Sequence, residues 1–183
     1  MSQTFWKIFR LLLIFVAFQA AWFACVLGAA YDVPEPGVAM VAIVWGVQFS
    51  LSPARGQDLA LTGAAIVLGV LWDTALLRSG VVAYASPGPL PGCAPAWILA
   101  LWVLFATLLR EPLQWLQGRW LLAALLGGVG GALSYWSAVR LGAGSFRDLA
   151  QALVVIGVGW AVMTPALTEL ARWLAARQQR RLA

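Results

Sequence analysis

Histidine is absent from this 183-residue sequence, charged residues make up only 10% of it, and cysteine occurs twice. Each shortage excludes something. Desaturase-type and hydroxylase-type iron sites, and most zinc sites, need several imidazoles, so those classes fall away and neither a metal nor another cofactor is expected. A soluble domain carries roughly a quarter charged residues. With 62% apolar residues and a mean hydropathy of +0.85, this chain reads instead as a polytopic membrane protein forming one integral membrane domain over 1–183. The net charge of +5 is no sign of nucleic-acid binding, because the Arg residues stand at the ends of apolar runs, where they orient a chain and meet lipid headgroups. Cys25 lies in an apolar run and reads as a small buried hydrophobe, and Cys93 lies in a Pro/Gly loop; a disulfide between them stays open. There is no catalytic Ser/His pair, and Gly127-Gly128-Val129-Gly130-Gly131 lacks the strand–turn–helix setting of a phosphate loop.

What the chain does have is long apolar runs. Six membrane helices are expected, over about 8–30, 37–52, 58–77, 96–109, 120–141 and 148–167, followed by a basic cytoplasmic tail over 168–183. The first run is too long for a signal-peptide core and is read as a retained helix. Between the third and fourth runs, Pro87-Gly88-Pro89, Pro91 and Gly92 argue against regular structure. Leu113-Gln114-Trp115-Leu116 reads as a short interfacial segment, Ser145 as a cap for the sixth helix, and Pro165 as a kink within it. Six crossings put nine Lys/Arg on the side of the termini and Arg78, Arg140 and Arg147 on the other, so both termini are expected in the cytoplasm.

The fifth run, Leu121–Gly144, has almost no bulk along one side: Gly127, Gly128, Gly131, Ser134 and Ala138 recur in steps of three and four. Small residues let helices approach closely in lipid, so this Gly-rich helix is expected at the centre of the bundle. It serves a neighbour in the same chain as readily as a second copy, which leaves the oligomeric state open.

Few polar groups lie at membrane depth. Asp73 is the foremost, since an ionisable residue inside a membrane helix by default faces the interior with a partner. Arg140, near the same end of the fifth helix, is the expected partner. The pair reads either as a structural tether or as a proton-handling or headgroup-binding site, with Tyr135 lining the pocket beside Asp73. Gln19 and Gln48 are expected to make interhelical hydrogen bonds. Glu169 and Arg172 have the spacing of an ion pair. Of the eleven Trp residues, Trp6, Trp97, Trp115, Trp120 and Trp173 suit interfacial belts, while Trp22, Trp45, Trp72, Trp102, Trp136 and Trp160 lie deeper, to pack on the glycine face or line an apolar chamber.

The order of Phe18-Gln19-Ala20-Ala21-Trp22-Phe23, Gly28, Asp73, Pro95-Ala96-Trp97-Ile98, Leu101-Trp102, Trp115-Leu116, Leu125-Leu126-Gly127 through Gly131, Leu133-Ser134-Tyr135 and Arg140-Leu141-Gly142-Ala143 resembles DUF2878, a family of small bacterial polytopic membrane proteins of unknown function. The chain departs from the pattern at Ala132, where a proline is expected, and at Arg110-Glu111-Pro112, where an Asn/Ser pair is expected. The resemblance implies a bacterial inner-membrane location. It also implies a neighbourhood of fatty-acid-modifying enzymes, cyclopropane-synthase-like methyltransferases among them. The expected function is therefore a non-catalytic lipid-handling or accessory role. An acyl chain would lie among Trp and Gly faces, with Asp73, Tyr135, Arg140, Gln19 and Trp72 as candidate lipid contacts, and membrane lipids and a lipid-modifying enzyme as partners. A small proton-coupled permease with Asp73 as carrier is the alternative, and a membrane enzyme with Asp73 as acid/base the third reading.

Overall fold

The computed structural model describes residues 3–182, with side chains described from Phe5 to Arg180; the side chain of Arg181, counted above in the basic tail, lies outside the described residues. Six α-helices follow one another: α1 (Gln3–Ala30), α2 (Glu35–Leu51), α3 (Arg55–Arg78), α4 (Ala96–Ala106), α5 (Trp120–Arg140) and α6 (Leu149–Leu182). α1, α3, α5 and α6 are long and apolar enough to cross a membrane; α2 has 17 residues and α4 only 11.

The helix ends differ from expectation for local reasons. α4 stops at Ala106 rather than 109, where the Thr107 hydroxyl takes the Leu104 carbonyl at 2.6 Å and the next bonds tighten to three-residue turns, Leu108 N–H to Phe105 and Leu109 N–H to Ala106. α6 does not end near 167. It runs unbroken through Pro165 and on through the basic tail, whose Ala, Arg and Gln residues are good helix formers. Its cap is Asp148, not Ser145: the Asp148 carboxylate accepts the Gln151 N–H at 2.7 Å. Ser145 belongs instead to a strand. β1 (Val82–Tyr84) and β2 (Gly144–Phe146) pair antiparallel, Val82 opposite Phe146 and Tyr84 opposite Gly144. The Pro- and Gly-rich loop is thus not wholly irregular, because the strand lies before its first proline. Gly142, in a left-handed conformation (φ +94°), ends α5 with the Ala143 N–H bonded back to the Ala138 carbonyl at 3.0 Å, so it terminates the helix rather than packing it.

Two ends of the bundle can be told apart. The end that holds the paired strands, called the hairpin end although β1 and β2 are far apart in sequence, gathers β1, β2 and the α1–α2 turn, with the Ser86 hydroxyl donating to Asp32 at 2.8 Å. The terminal end gathers the ion pairs. Arg10 meets Glu111, Arg110 Nε stands 2.7 Å from Asp58 Oδ1, and Arg172 pairs with Glu169 at 2.9 Å, the last with the expected spacing. The Arg110–Asp58 pair is mostly buried and the Arg172–Glu169 pair is not. Arg110→Ala leaves Asp58 without its cation and should cost about 1–3 kcal/mol, against roughly 0–1 kcal/mol for Arg172→Ala, in reversible SDS unfolding of the detergent-solubilised protein.

The centre of the bundle is α4, not the Gly-rich α5. Trp97, Ile98, Ala100, Trp102, Leu104 and Ala106 are all buried, as befits a short helix that is apolar all round. α5 turns the glycines of its smooth face onto α6. Its Gly128 lies over the Gly157 carbonyl, where an added Cβ would stand 3.0 Å from the oxygen, and its Gly127 and Gly131 lie under Thr164 and Trp160. Leu125, Val129 and Leu133 on the rest of its surface are exposed. α5 also runs unbroken through Ala132, where the family pattern expects proline.

Candidate functional site

Asp73 is completely buried, four residues after Gly69 on α3 and so on the same face. The Trp102 ring of α4 lies directly on Gly69, where a Cβ would overlap it, and this close approach carries the indole nitrogen to Asp73 Oδ2 at 2.6 Å. The other carboxylate oxygen accepts two phenols, Tyr84 from β1 at 2.5 Å and Tyr135 from α5 at 2.6 Å. These are the lengths of charge-assisted bonds. Burial first, and the Asp73 carboxylate second, hold the Tyr84 phenol well above its ordinary range, so it stays a donor. One carboxylate thereby ties together α3, α4, α5 and the hairpin.

Both tyrosines and Trp102 also line a cleft of about 620 Å³, within the range of small-molecule pockets of about 300–1,000 Å³. One wall is α1, with Phe18, Gln19, Trp22 and Phe23; the other is α5, with Leu126, Gly130, Leu133, Ser134 and Ser137. Its floor is α4 and α6, including the Trp102 and Trp160 rings stacked 4.7 Å apart. The cleft runs from Tyr84 and Gly144 at the hairpin end to Leu113 and Leu116 at the terminal end. Trp22 Nε1 donates to Ser134 Oγ at 3.1 Å and joins the two walls. Phe23, Leu126 and Leu133 on the rims are exposed, so the cleft opens sideways along the flank of the bundle.

The expected site residues divide. Asp73 and Tyr135 come together, and Gln19 lines the cleft. Arg140 does not reach Asp73: it lies over the Trp136 ring, 6.0 Å from its centroid. Tyr135 and Arg140 are five residues apart, which at 3.6 residues per turn puts their side chains about 140° apart around the helix. The Asp73–Arg140 tether is therefore corrected to an Asp73–Tyr84–Tyr135–Trp102 cluster. Trp72 does not line the cleft; its ring lies on Gly159 of α6. Of the small-residue stripe, Gly127, Gly128 and Gly131 pack on α6, and Gly127, Gly131, Ser134 and Ala138 line the cleft. Gln48 does not make the expected bond, its amide nitrogen being buried without a partner. Trp97 is buried rather than in a belt, donating to the Ser86 carbonyl at 3.1 Å. Cys25 and Cys93 are both free.

Sequence reasoning passed over Tyr84, and it placed Trp102 among the chamber-lining tryptophans without its bond to Asp73. The Gly69/Asp73 spacing on α3 was the available signal for Trp102, since a glycine one turn from a buried carboxylate marks the face where a large ring can approach. Comparison with curated proteins and with solved structures found no match. A family comparison did, and its match extends over residues 11–166, taking in the cleft walls, the Asp73 cluster and the hairpin. The chain belongs to DUF2878, a family of proteins of unknown function.

Proposed function

We propose that this protein handles lipid in a bacterial inner membrane, taking an acyl chain from the bilayer into the cleft between α1 and α5, as an accessory to fatty-acid or phospholipid modification. The observation that carries the reading is the lateral opening of an apolar cleft between two exposed helices, with Tyr84, Tyr135, Ser134 and Ser137 toward its hairpin end. On this reading the chain crosses six times with both termini in the cytoplasm, since the terminal end holds most of the Lys and Arg.

The test is native mass spectrometry of the protein released from mild detergent. Gly130 lines the cleft and has open space above it, so Gly130→Phe fills the cleft without touching the α5–α6 contact. The native protein should retain lipid and Gly130→Phe should lose most of it, while Leu121→Phe, on the exposed surface, should not. Equal lipid in all three overturns the reading.

The permease reading has one observation in its favour. Among the described residues no cation contacts Asp73, so the carboxylate can gain or lose a proton without breaking an ion pair. Proton-gradient-dependent uptake into proteoliposomes, lost in Asp73→Asn, would establish it. Product formation by the isolated protein would favour an enzyme with Asp73 as acid/base.

A further inference from the structure

We infer that the outward face of the last turns of α6, together with the turn before α5, binds the headgroups of anionic phospholipids at a site separate from the cleft. The face begins at the turn. Gly118 stands there in a left-handed conformation (φ +80°), and an added Cβ would lie 3.0 Å from Arg172 Nη1. Glu169 fixes this contact: one of its oxygens accepts the Gly118 N–H at 2.8 Å and the other pairs with Arg172 at 2.9 Å. Both carboxylate oxygens are thus used, and they offset Arg172. Arg119, the residue after Gly118, is exposed.

Further along α6 the same face carries Trp173, Arg177 and Arg180, all exposed. At 3.6 residues per turn, Arg172, Trp173, Arg177 and Arg180 fall within about 140° around the helix. The other side of this segment belongs to the bundle: Ala171 is buried, Leu174 packs on the core and Gln178 accepts a hydrogen bond from Gln57 of α3. Arg177 lies over the Trp173 ring, 5.2 Å from its centroid, and this cation–π contact keeps it on the outward face. Among the described residues no carboxylate pairs with Arg119, Arg177 or Arg180. That leaves three positive charges on this face without a counter-ion.

The exposed indoles set its depth. Trp115, Trp120 and Trp173 are 49%, 63% and 54% exposed, and tryptophans at the helix ends of a membrane protein sit at headgroup level. Arg177 lies about 6 Å beyond Trp173 along α6, and Arg180 about 10 Å beyond it. The headgroup layer is about 5–8 Å deep, and charge at its surface is felt about 8–10 Å further. Both arginines therefore reach lipid phosphates, which a guanidinium grips with two parallel hydrogen bonds. A zwitterionic lipid brings its own cation beside the phosphate and an anionic lipid brings none, so charge complementarity selects the anionic one. The three indoles place the face at the bilayer surface and favour lipid over an acidic soluble protein.

The experiment reconstitutes the full-length protein in nanodiscs holding equal amounts of phosphatidylglycerol and phosphatidylcholine with the same acyl chains, and reads the retained lipid by native mass spectrometry. Phosphatidylglycerol should be retained at least about fivefold over phosphatidylcholine, a free-energy difference of about 1 kcal/mol. Arg177→Gln with Arg180→Gln, which keeps helix propensity, should abolish most of that preference. Lys7→Gln with Arg55→Gln removes the same charge elsewhere at the terminal end and should leave the preference in place. Gly130→Phe, which fills the cleft, should leave it in place too. Equal retention of the two lipids by the native protein overturns the inference. So does an equal loss of preference in both double variants, which would make net charge the cause. A preference lost in Gly130→Phe places the anionic lipid in the cleft, which overturns this site and leaves the cleft reading standing. Binding of soluble hexaglutamate without any lipid preference overturns it in favour of an acidic protein partner.

Discussion

Asp73→Leu should destabilise the protein more than any substitution of an exposed charge. It strands three buried donors at once, the phenols of Tyr84 and Tyr135 and the indole of Trp102. Each unpartnered group costs roughly 1–3 kcal/mol, so a loss of several kcal/mol is expected, enough to consume much of the stability of a domain this size. Asp73→Asn should be milder. Its carbonyl oxygen can still take the two phenols, but its amide opposes Trp102 Nε1 donor to donor, for a loss of about 1–3 kcal/mol. Reversible SDS unfolding of the detergent-solubilised protein measures both. A double-mutant cycle isolates the cause: Tyr84→Phe should cost clearly less in the Asp73→Leu background than in the native one, because its partner is already gone. Additive losses would mean that the carboxylate is not what holds the phenol, and Asp73→Leu as stable as the native protein would remove the cluster from any role in the fold.

The membrane character, the approximate placing of six helices and the burial of Asp73 with partners inside the bundle were legible from the sequence, because each is a local property of composition or of one side chain in an apolar run. What surrounds Asp73 was only partly legible. Tyr135 and Arg140 lie toward the same end of α5, about 7.5 Å apart along its axis, and reasoning by depth alone favoured the charge. The direction of a side chain around its helix decided otherwise, and that direction follows from how α5 is seated on α6 by Gly127 and Gly131. Tyr84 was out of reach for a different reason. It is aimed by pairing between two loops far apart in sequence, and three-residue strands leave no periodic signal. The pairing does have one local requirement, Gly144, where an added Cβ would stand 2.5 Å from the Ala83 carbonyl oxygen. The centrality of α4 was hidden by its brevity. It was read as one span among six, whereas its burial on every side makes it the element on which the others rest.

Gly130 and Gly131, adjacent on α5, should respond to the same substitution in opposite directions. A Cβ at Gly131 would overlap the Trp160 ring, while one at Gly130 meets nothing within 4 Å. Gly130→Ala should therefore be neutral or stabilising by up to about 1 kcal/mol, the cost that glycine carries inside a helix. Gly131→Ala should lose about 1–3 kcal/mol by overpacking, and Gly131→Leu should lose more or fail to accumulate as folded protein. The loss does not stay at the α5–α6 contact. Trp160 is stacked on Trp102, 4.7 Å between centroids and 15° between planes, and Trp102 is the donor to Asp73 Oδ2. A side chain at 131 displaces Trp160, Trp160 presses on Trp102, and the bond to Asp73 lengthens. Gly131→Ala should accordingly lessen the further cost of Asp73→Asn, since both act on the Trp102 donor, and Gly130→Ala should leave that cost unchanged. Equal effects at 130 and 131 would show that helix propensity, not contact with α6, sets the tolerance of this stretch. Opposite effects, with coupling to Asp73 confined to 131, would establish that the glycines of α5 hold the Asp73 cluster in register as well as the two helices together.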